Sequence, residues 1–226
     1  MAPPTDTHAL GLATLAGQLA GQAGQTLADL PNRLHPEWVD SMGADPAVLH
    51  AGGAGVLNAA LLARFDLRWP DLSAAGHGLE LAWLLAPDQL VRLCAARALF
   101  AWRGALARCV DAGLRRRVRA LVGTETFDAI VGIAQGRRDE AAAPFEADVA
   151  QPMGWSLLRR ALPWRDVRSR RLIELMLPPV PPHIVAALDE RADESAEHDR
   201  FASTLLYLFP EHSWLFGLEP ATLTSA

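Results

Sequence analysis

Apolar segments of helical length, separated by proline and glycine, make up most of this 226-residue chain. Pro31, Pro87 and Gly113 each stand at the edge of such a segment, where they favour a helix start or stop. Clean alternation of apolar and polar residues is scarce and β-branched residues are few, so little of the chain suits a strand. The pattern predicts a mainly α protein, a single globular domain of many short helices with little or no sheet. The sequence shows no repeat of solenoid length.

The first 30 residues differ from the rest because glycines interrupt their leucine pattern. Gly17, Gly21 and Gly24 each cost a helix about 1 kcal/mol relative to alanine. We therefore expect residues 1–30 to form a flexible or frayed N-terminal extension, and residues 31–226 to form the helical domain. A compact chain of this size buries roughly 70% of its unfolded surface, so it needs no disulfide or metal to fold.

The spacing of apolar residues and of helix breakers places the predicted helices. Asp88 and Thr124 are candidate N-caps for two of them. The longest predicted helix is apolar on most of its surface, so we expect it inside the fold. We also expect Trp38, Trp83 and Trp102 in the core. The predicted helices cover residues 31–42, 56–65, 78–86, 89–111, 114–122, 124–131, 155–162, 167–176 and 184–200.

Charge is sorted into blocks, although the formal net charge is only −5 and all 21 basic residues are arginine. Residues 92–119 hold eight arginines against one carboxylate, residues 159–171 hold six against one, and residues 189–200 hold six carboxylates against two arginines. Such blocks suit partner-binding faces or neutralisation between helices. The candidate interaction faces are a basic surface with Arg115, Arg116 and Arg119, and an acidic surface with Glu190, Asp193, Glu194 and Glu197.

The glycine-rich stretch at residues 50–55 lacks the features of a phosphate-binding loop. Such a loop needs a lysine to reach the outer phosphates, and this chain has no lysine. The dinucleotide-binding version needs a preceding buried strand and a third glycine, and both are missing here. We expect residues 52–55 to be a loop that leads into a buried helix, and no nucleotide cofactor.

Known catalytic and metal-binding motifs are not matched either. Residues 154–156, Gly-Trp-Ser, lack the second glycine of a serine nucleophile elbow, and no H-E-x-x-H sequence occurs. Glu190, Glu194 and His198 have helical spacing, but the carboxylates around them are typical of a solvated acidic face. The sequence therefore predicts a protein that is not an enzyme and binds no metal or cofactor.

Cys94 and Cys109 are the two cysteines, and their spacing suits neither a metal site nor a disulfide framework. We expect both as buried free thiols. The N-terminus lacks a basic secretion-signal region, and no uncharged apolar run is long enough to span a bilayer. These features favour a soluble, cytoplasmic protein.

The arginine clusters at residues 115–119 and 168–171 leave an alternative open, an arginine-rich helical nucleic-acid-binding or regulatory protein. Phosphate binding needs such clusters on one open face. The negative net charge and the absence of a recognisable reading helix argue against this alternative.

Four leucine- and alanine-rich segments stand in order within residues 31–135. They are Val56-Leu-Asn-Ala-Ala-Leu-Leu-Ala-Arg-Phe-Asp-Leu67, Leu79-Glu-Leu-Ala-Trp-Leu-Leu-Ala-Pro-Asp-Gln-Leu-Val-Arg-Leu-Cys94, Arg103-Gly-Ala-Leu-Ala-Arg-Cys-Val110 and Thr124-Glu-Thr-Phe-Asp-Ala-Ile-Val131. In order and spacing they resemble the bacterial type III secretion sorting-platform adaptor family (YscK/SctK-like). The resemblance implies a non-enzymatic scaffold at the cytosolic face of the inner membrane. Its partners would be the cytoplasmic domain of the inner-membrane ring and the pod protein, and indirectly the stator and the export ATPase.

Overall fold

The computed structural model describes residues 5–41, 54–67, 78–134, 147–162, 164–184 and 195–216. Helices and their connections account for these residues, and no strand occurs among them. The predicted mainly α fold is therefore confirmed for the described part of the chain.

The α-helices have the following bounds, numbered in chain order. They are α1 (Thr5–Ala28), α2 (Leu30–Arg33), α3 (Pro36–Asp40), α4 (Ala54–Arg64), α5 (Pro87–Ala101), α6 (Arg103–Arg108), α7 (Ala112–Val122), α8 (Thr124–Ile133), α9 (Ala150–Ala161), α10 (Val167–Met176), α11 (Ser195–Leu208) and α12 (Ser213–Phe216). Short 3₁₀ helices cover Gly78–Leu84, Ala147–Val149 and Pro210–His212.

The described residues fall into two compact units. Unit 1 consists of the described residues within Met1–Ala86 and Trp164–Pro178. Unit 2 consists of those within Pro87–Pro163 and Pro179–Phe216. Unit 1 is therefore discontinuous in sequence, because α10 joins the N-terminal helices. The predicted boundary between an extension of residues 1–30 and a domain of residues 31–226 stays a prediction. In the structure, α1 is one continuous helix with Leu19, Ala23 and Leu27 buried.

Backbone carbonyls near the end of α10 hold it in unit 1. The His35 amide donates to the Leu175 carbonyl at 2.9 Å. The indole N–H of Trp38 donates to the carbonyls of Glu174 and Leu177 at 3.1 and 2.9 Å. These bonds satisfy carbonyls that a helix end leaves without an intrahelical partner. Trp38 is half-buried by this role, whereas the 3₁₀ residue Trp83 is fully buried, as predicted.

Unit 2 is built on the close packing of α5 against α9. A Cβ added to Gly154 of α9 would lie 1.6 Å from the carbonyl oxygen of Cys94 in α5, so only glycine allows this approach. Leu93, Leu99 and Trp155 are buried with it. Gly154, the first residue of the incomplete Gly-Trp-Ser nucleophile motif, therefore serves the packing of two helices.

Several predicted boundaries and caps differ from the structure. The helix predicted over residues 89–111 ends at Ala101 and resumes as α6, with Trp102 between the two helices. Asp88 lies inside the first turn of α5 and does not precede it. Thr124 is the first residue of α8, whose N-cap is Gly123, so the predicted threonine cap was wrong. Asp111, which the sequence analysis did not single out, is the cap of α7.

The two cysteines are free thiols, as predicted. Cys94 is fully buried, and burial raises the pKa of its thiol far above the usual range. Cys109 is only half-buried, so the prediction of burial holds for Cys94 and not for Cys109. A fully buried, protonated Cys94 fills space in the core of unit 2 and is poorly placed for nucleophilic chemistry.

Candidate interaction surface

Helix α7 carries the densest group of arginines, and its two ends are sharply defined. At its start the Asp111 carboxylate accepts hydrogen bonds from the amides of Gly113 and Leu114 at 2.7 and 3.0 Å. At its end Gly123 has φ 86°, a conformation that favours glycine, and the chain turns directly into α8. The helix buries Val118 and Val122, and Arg115 and Arg119 are half-buried beside them, whereas Arg116 and Arg117 are exposed.

An open hollow of about 650 Å³ lies on the exposed side of α7, and we call it the α7 hollow. The three predicted basic residues Arg115, Arg116 and Arg119 all line it, so the structure brings them together on one surface. The remaining lining residues are small or apolar, namely Val110, Ala112, Ala120 and Thr124. The hollow therefore combines guanidinium groups with small and apolar side chains.

The three arginines of the α7 hollow differ in how far they are engaged within the protein. Arg119 donates to the Asp128 carboxylate at 2.8 Å and lies 5.0 Å from the centre of the Phe127 ring. Arg115 lies 5.8 Å from the same ring. Among the described residues, neither Arg115 nor Arg116 forms an ion pair. These two guanidinium groups are available to an anionic partner.

Val110 adds an apolar contact point at the edge of the α7 hollow. Its side chain is 97% exposed, directly before the Asp111 cap. Because this valine is exposed, it buries almost no apolar surface and contributes little to the stability of the fold. Together with the unengaged arginines, it makes a surface that suits a partner with both carboxylate and apolar side chains.

The predicted acidic face has a different outcome. Glu190, Asp193 and Glu194 lie outside the described residues. Glu197 is described, and it forms an ion pair with Arg103, which is 3% exposed. Its carboxylate also lies 3.8 Å from Arg200. Glu197 therefore connects α11 to the start of α6. This is neutralisation between helices, the second of the two roles that the charge blocks suggest.

Several arginines of the basic block are structural, which composition alone did not reveal. Arg92 donates to the Val122 carbonyl at 2.7 Å, to the Thr126 hydroxyl at 2.7 Å and to Glu211 at 2.8 Å. Arg97 is fully buried beside the Phe201 ring. In the sequence, apolar residues at helical spacing surround both Arg92 and Arg97. That context could have distinguished these structural arginines from the arginines of α7.

The part of the chain that the structure describes holds no group of three or more His, Cys, Asp or Glu side chains placed to share a metal ion. Within those residues, no helix has both the length and the apolar character needed to cross a bilayer.

The described residues define a class: an all-helical protein with an arginine-lined hollow on its surface. A family model described as bacterial type III secretion protein (HrpB4) matches residues 14–211. Since this match covers most of the chain, the chain belongs to the HrpB4 family of bacterial type III secretion proteins. Among curated proteins and solved structures, none matches it. The family match identifies a component of a type III secretion system.

Proposed function

We propose that this chain is the adaptor of a type III secretion sorting platform. It links the cytoplasmic domain of the inner-membrane ring to the pod protein, and through the pod to the stator and the export ATPase. It acts by binding proteins and catalyses no reaction. Its place is the cytosolic face of the inner membrane.

The observation that carries this proposal is the α7 hollow in a chain of a type III secretion family. Arg115 and Arg116 are held on a capped, well-packed helix and have no ion-pair partner among the described residues. Free cations beside exposed apolar surface set the orientation and the association rate of a protein partner. The four segments that resemble the adaptor family all lie within the matched residues 14–211, which supports the same role.

The test compares two double variants in the bacterium that encodes this chain. Arg115→Gln with Arg116→Gln removes two charges from the α7 hollow. Arg64→Gln with Arg165→Gln removes two charges from exposed arginines that do not line it. Arg119 is kept in both variants, because its ion pair with Asp128 joins α7 to α8.

The readouts are secretion of effector proteins and the number of membrane-associated foci formed by a fluorescently tagged pod protein. We expect deletion of the gene to abolish both. The hollow variant should reduce both strongly, while the control variant leaves them near wild type. Normal foci and normal secretion in the deletion strain would refute the adaptor role. Equal effects of the two double variants would remove the α7 hollow from it.

A further inference from the structure

Unit 1 has a second arginine-lined hollow, and its arginines come from the cluster at residues 168–171. It lies between the end of α4 and the start of α10 and has a volume of about 520 Å³. We call it the α10 hollow. Its lining residues are Phe65, Asp66, Leu67, Val167, Arg168, Arg170 and Arg171. Like the α7 hollow, it combines several guanidinium groups with apolar side chains.

The end of α4 builds one wall of the α10 hollow. The Leu67 amide donates to the Leu62 carbonyl at 2.8 Å, and Asp66 has φ 48°. This is the left-handed turn that commonly closes a helix. Phe65 is half-buried before the turn and Leu67 is buried after it, so the turn fixes an apolar wall with one carboxylate.

Arg171 on α10 is the best-positioned cation of this hollow. Its guanidinium lies 5.7 Å from the centre of the Trp38 ring and 5.5 Å from that of Phe65. One of its nitrogens donates to Glu174 at 3.2 Å. A guanidinium has five N–H donors, so most of those of Arg171 are left for another acceptor. Two aromatic rings limit its motion, which lowers the entropy cost of binding a carboxylate with both nitrogens.

Arg170 is a further cation of the α10 hollow, and it lies 3.7 Å from Glu174. An ion pair of this length contributes little to stability, so an incoming carboxylate can compete for Arg170. Val167 is 61% exposed in the same hollow and offers an apolar contact.

We infer that the α10 hollow is a docking site for an acidic protein segment. A glutamate or aspartate of that segment pairs with Arg171, and a neighbouring apolar side chain packs against Val167 and Phe65. Asp66 and Glu174 stand beside the same arginines, and they repel a polyphosphate chain, which is charged at every unit, more strongly than a protein segment in which apolar residues separate the carboxylates. Phe65 and Val167 likewise favour a protein segment, because its aliphatic side chains can pack against them while its carboxylates pair with the arginines.

This inference rests on the proposed function only in that an adaptor needs a surface for each of two partners.

Its test uses the full chain alone with a synthetic peptide of repeated Glu-Glu-Leu units. A peptide with glutamine in place of glutamate is the control. The readout is the indole N–H resonance of Trp38, which lies beside Arg171 and is identified by its loss in Trp38→Phe.

The variants separate the charge of Arg171 from its surroundings. Arg171→Gln should weaken peptide binding about tenfold, which is the usual scale for losing a charged bidentate contact. Arg165→Gln is the matched control, because Arg165 is exposed near the same helix and does not line the hollow. Val167→Ser keeps every charge and alters only an exposed side chain, so it remains informative if Arg171→Gln unfolds. It should weaken binding several-fold.

Asp66→Asn supplies a test in the opposite direction. Asparagine tolerates the left-handed turn and removes the one carboxylate among the described lining residues, so peptide binding should become stronger. A Trp38 resonance that stays fixed on addition of the glutamate peptide would overturn the inference. So would an equal response to the glutamine peptide, equal weakening by Arg165→Gln, or a stronger response to single-stranded DNA of the same charge. Any of these results leaves the adaptor role to its own cell-based test.

Discussion

Arg92 shows how one residue can join three parts of unit 2. Its guanidinium reaches the carbonyl at the end of α7, a hydroxyl on α8 and a carboxylate after α11, and it lies 5.2 Å from the centre of the Phe209 ring. Lysine cannot reproduce this planar set of donors. At the residue scale, the sequence therefore shows that the arginines are clustered, but the structure is needed to tell which of them stabilise the fold.

We predict that Arg92→Lys lowers the free energy of unfolding by about 1–3 kcal/mol, because hydrogen-bond acceptors around Gly123 lose their donors. Arg116→Lys should change it by less than about 0.5 kcal/mol, since Arg116 is exposed and forms no ion pair with described residues. Urea denaturation of both variants measures the difference. Equal stabilities would contradict a structural role for Arg92.

Asp111 gives a pH-dependent prediction. Hydrogen bonds from the Leu114 and Gly113 amides, aided by Arg117, hold the pKa of its carboxyl below the usual 3.8. A group whose pKa is lowered by folding stabilises the fold above its unfolded pKa, and that contribution is lost as the pH falls through the folded value. Asp111→Ala should therefore be less stable than wild type at pH 7. The gap should narrow as the pH falls from 3.8 through the lower pKa of the folded state.

Denaturant titrations of both proteins at neutral and acidic pH measure this gap. A difference in stability that stays constant across this range would show that the cap does not depend on the charge of Asp111. Asp111→Asn serves as the control, because asparagine is a good N-cap at either pH.

At the scale of the elements, the bounds of a helix can be predicted from the sequence when residues next to its ends determine where it starts and stops. Helix α10 begins and ends at the predicted residues, because Asp166 caps it and prolines follow it. The break between α5 and α6 was missed, because apolar residues continue through Trp102 and only packing ends the helix there. The cap at Asp111 was missed because the apolar pattern continued as far as that residue.

Gly154 carries the element-scale prediction. Gly154→Ala should lower the free energy of unfolding by at least about 2 kcal/mol, because α9 must move away from the Cys94 carbonyl. Gly132→Ala is the control, since no atom lies within 4 Å of a Cβ added there. That change should leave stability unaltered or raise it by up to about 1 kcal/mol. Thermal denaturation of both variants provides the measurement, and a stable Gly154→Ala protein would mean that the two helices are not so close.

At the scale of the whole molecule, the sequence predicted the helical class and grouped the three arginines that line the α7 hollow, but it predicted neither hollow. The arginines of the α7 hollow follow one another on a single helix, so their shared surface could be inferred from the spacing. The α10 hollow joins residues 65–67 to residues 167–171, and such a pairing depends on tertiary contacts of α10 in unit 1. Glu197 was placed on a free acidic face for the same reason, because its pairing with Arg103 is not local.

The central claim is that this chain holds two protein partners at once. The direct measurement is sedimentation velocity of the purified chain mixed with the purified pod protein and the cytoplasmic domain of the inner-membrane ring. We predict one complex containing all three proteins, which loses a partner when Arg115 and Arg116 are replaced by glutamine. Competition of the two partners for the chain, or sedimentation of all three as separate species, would contradict the claim.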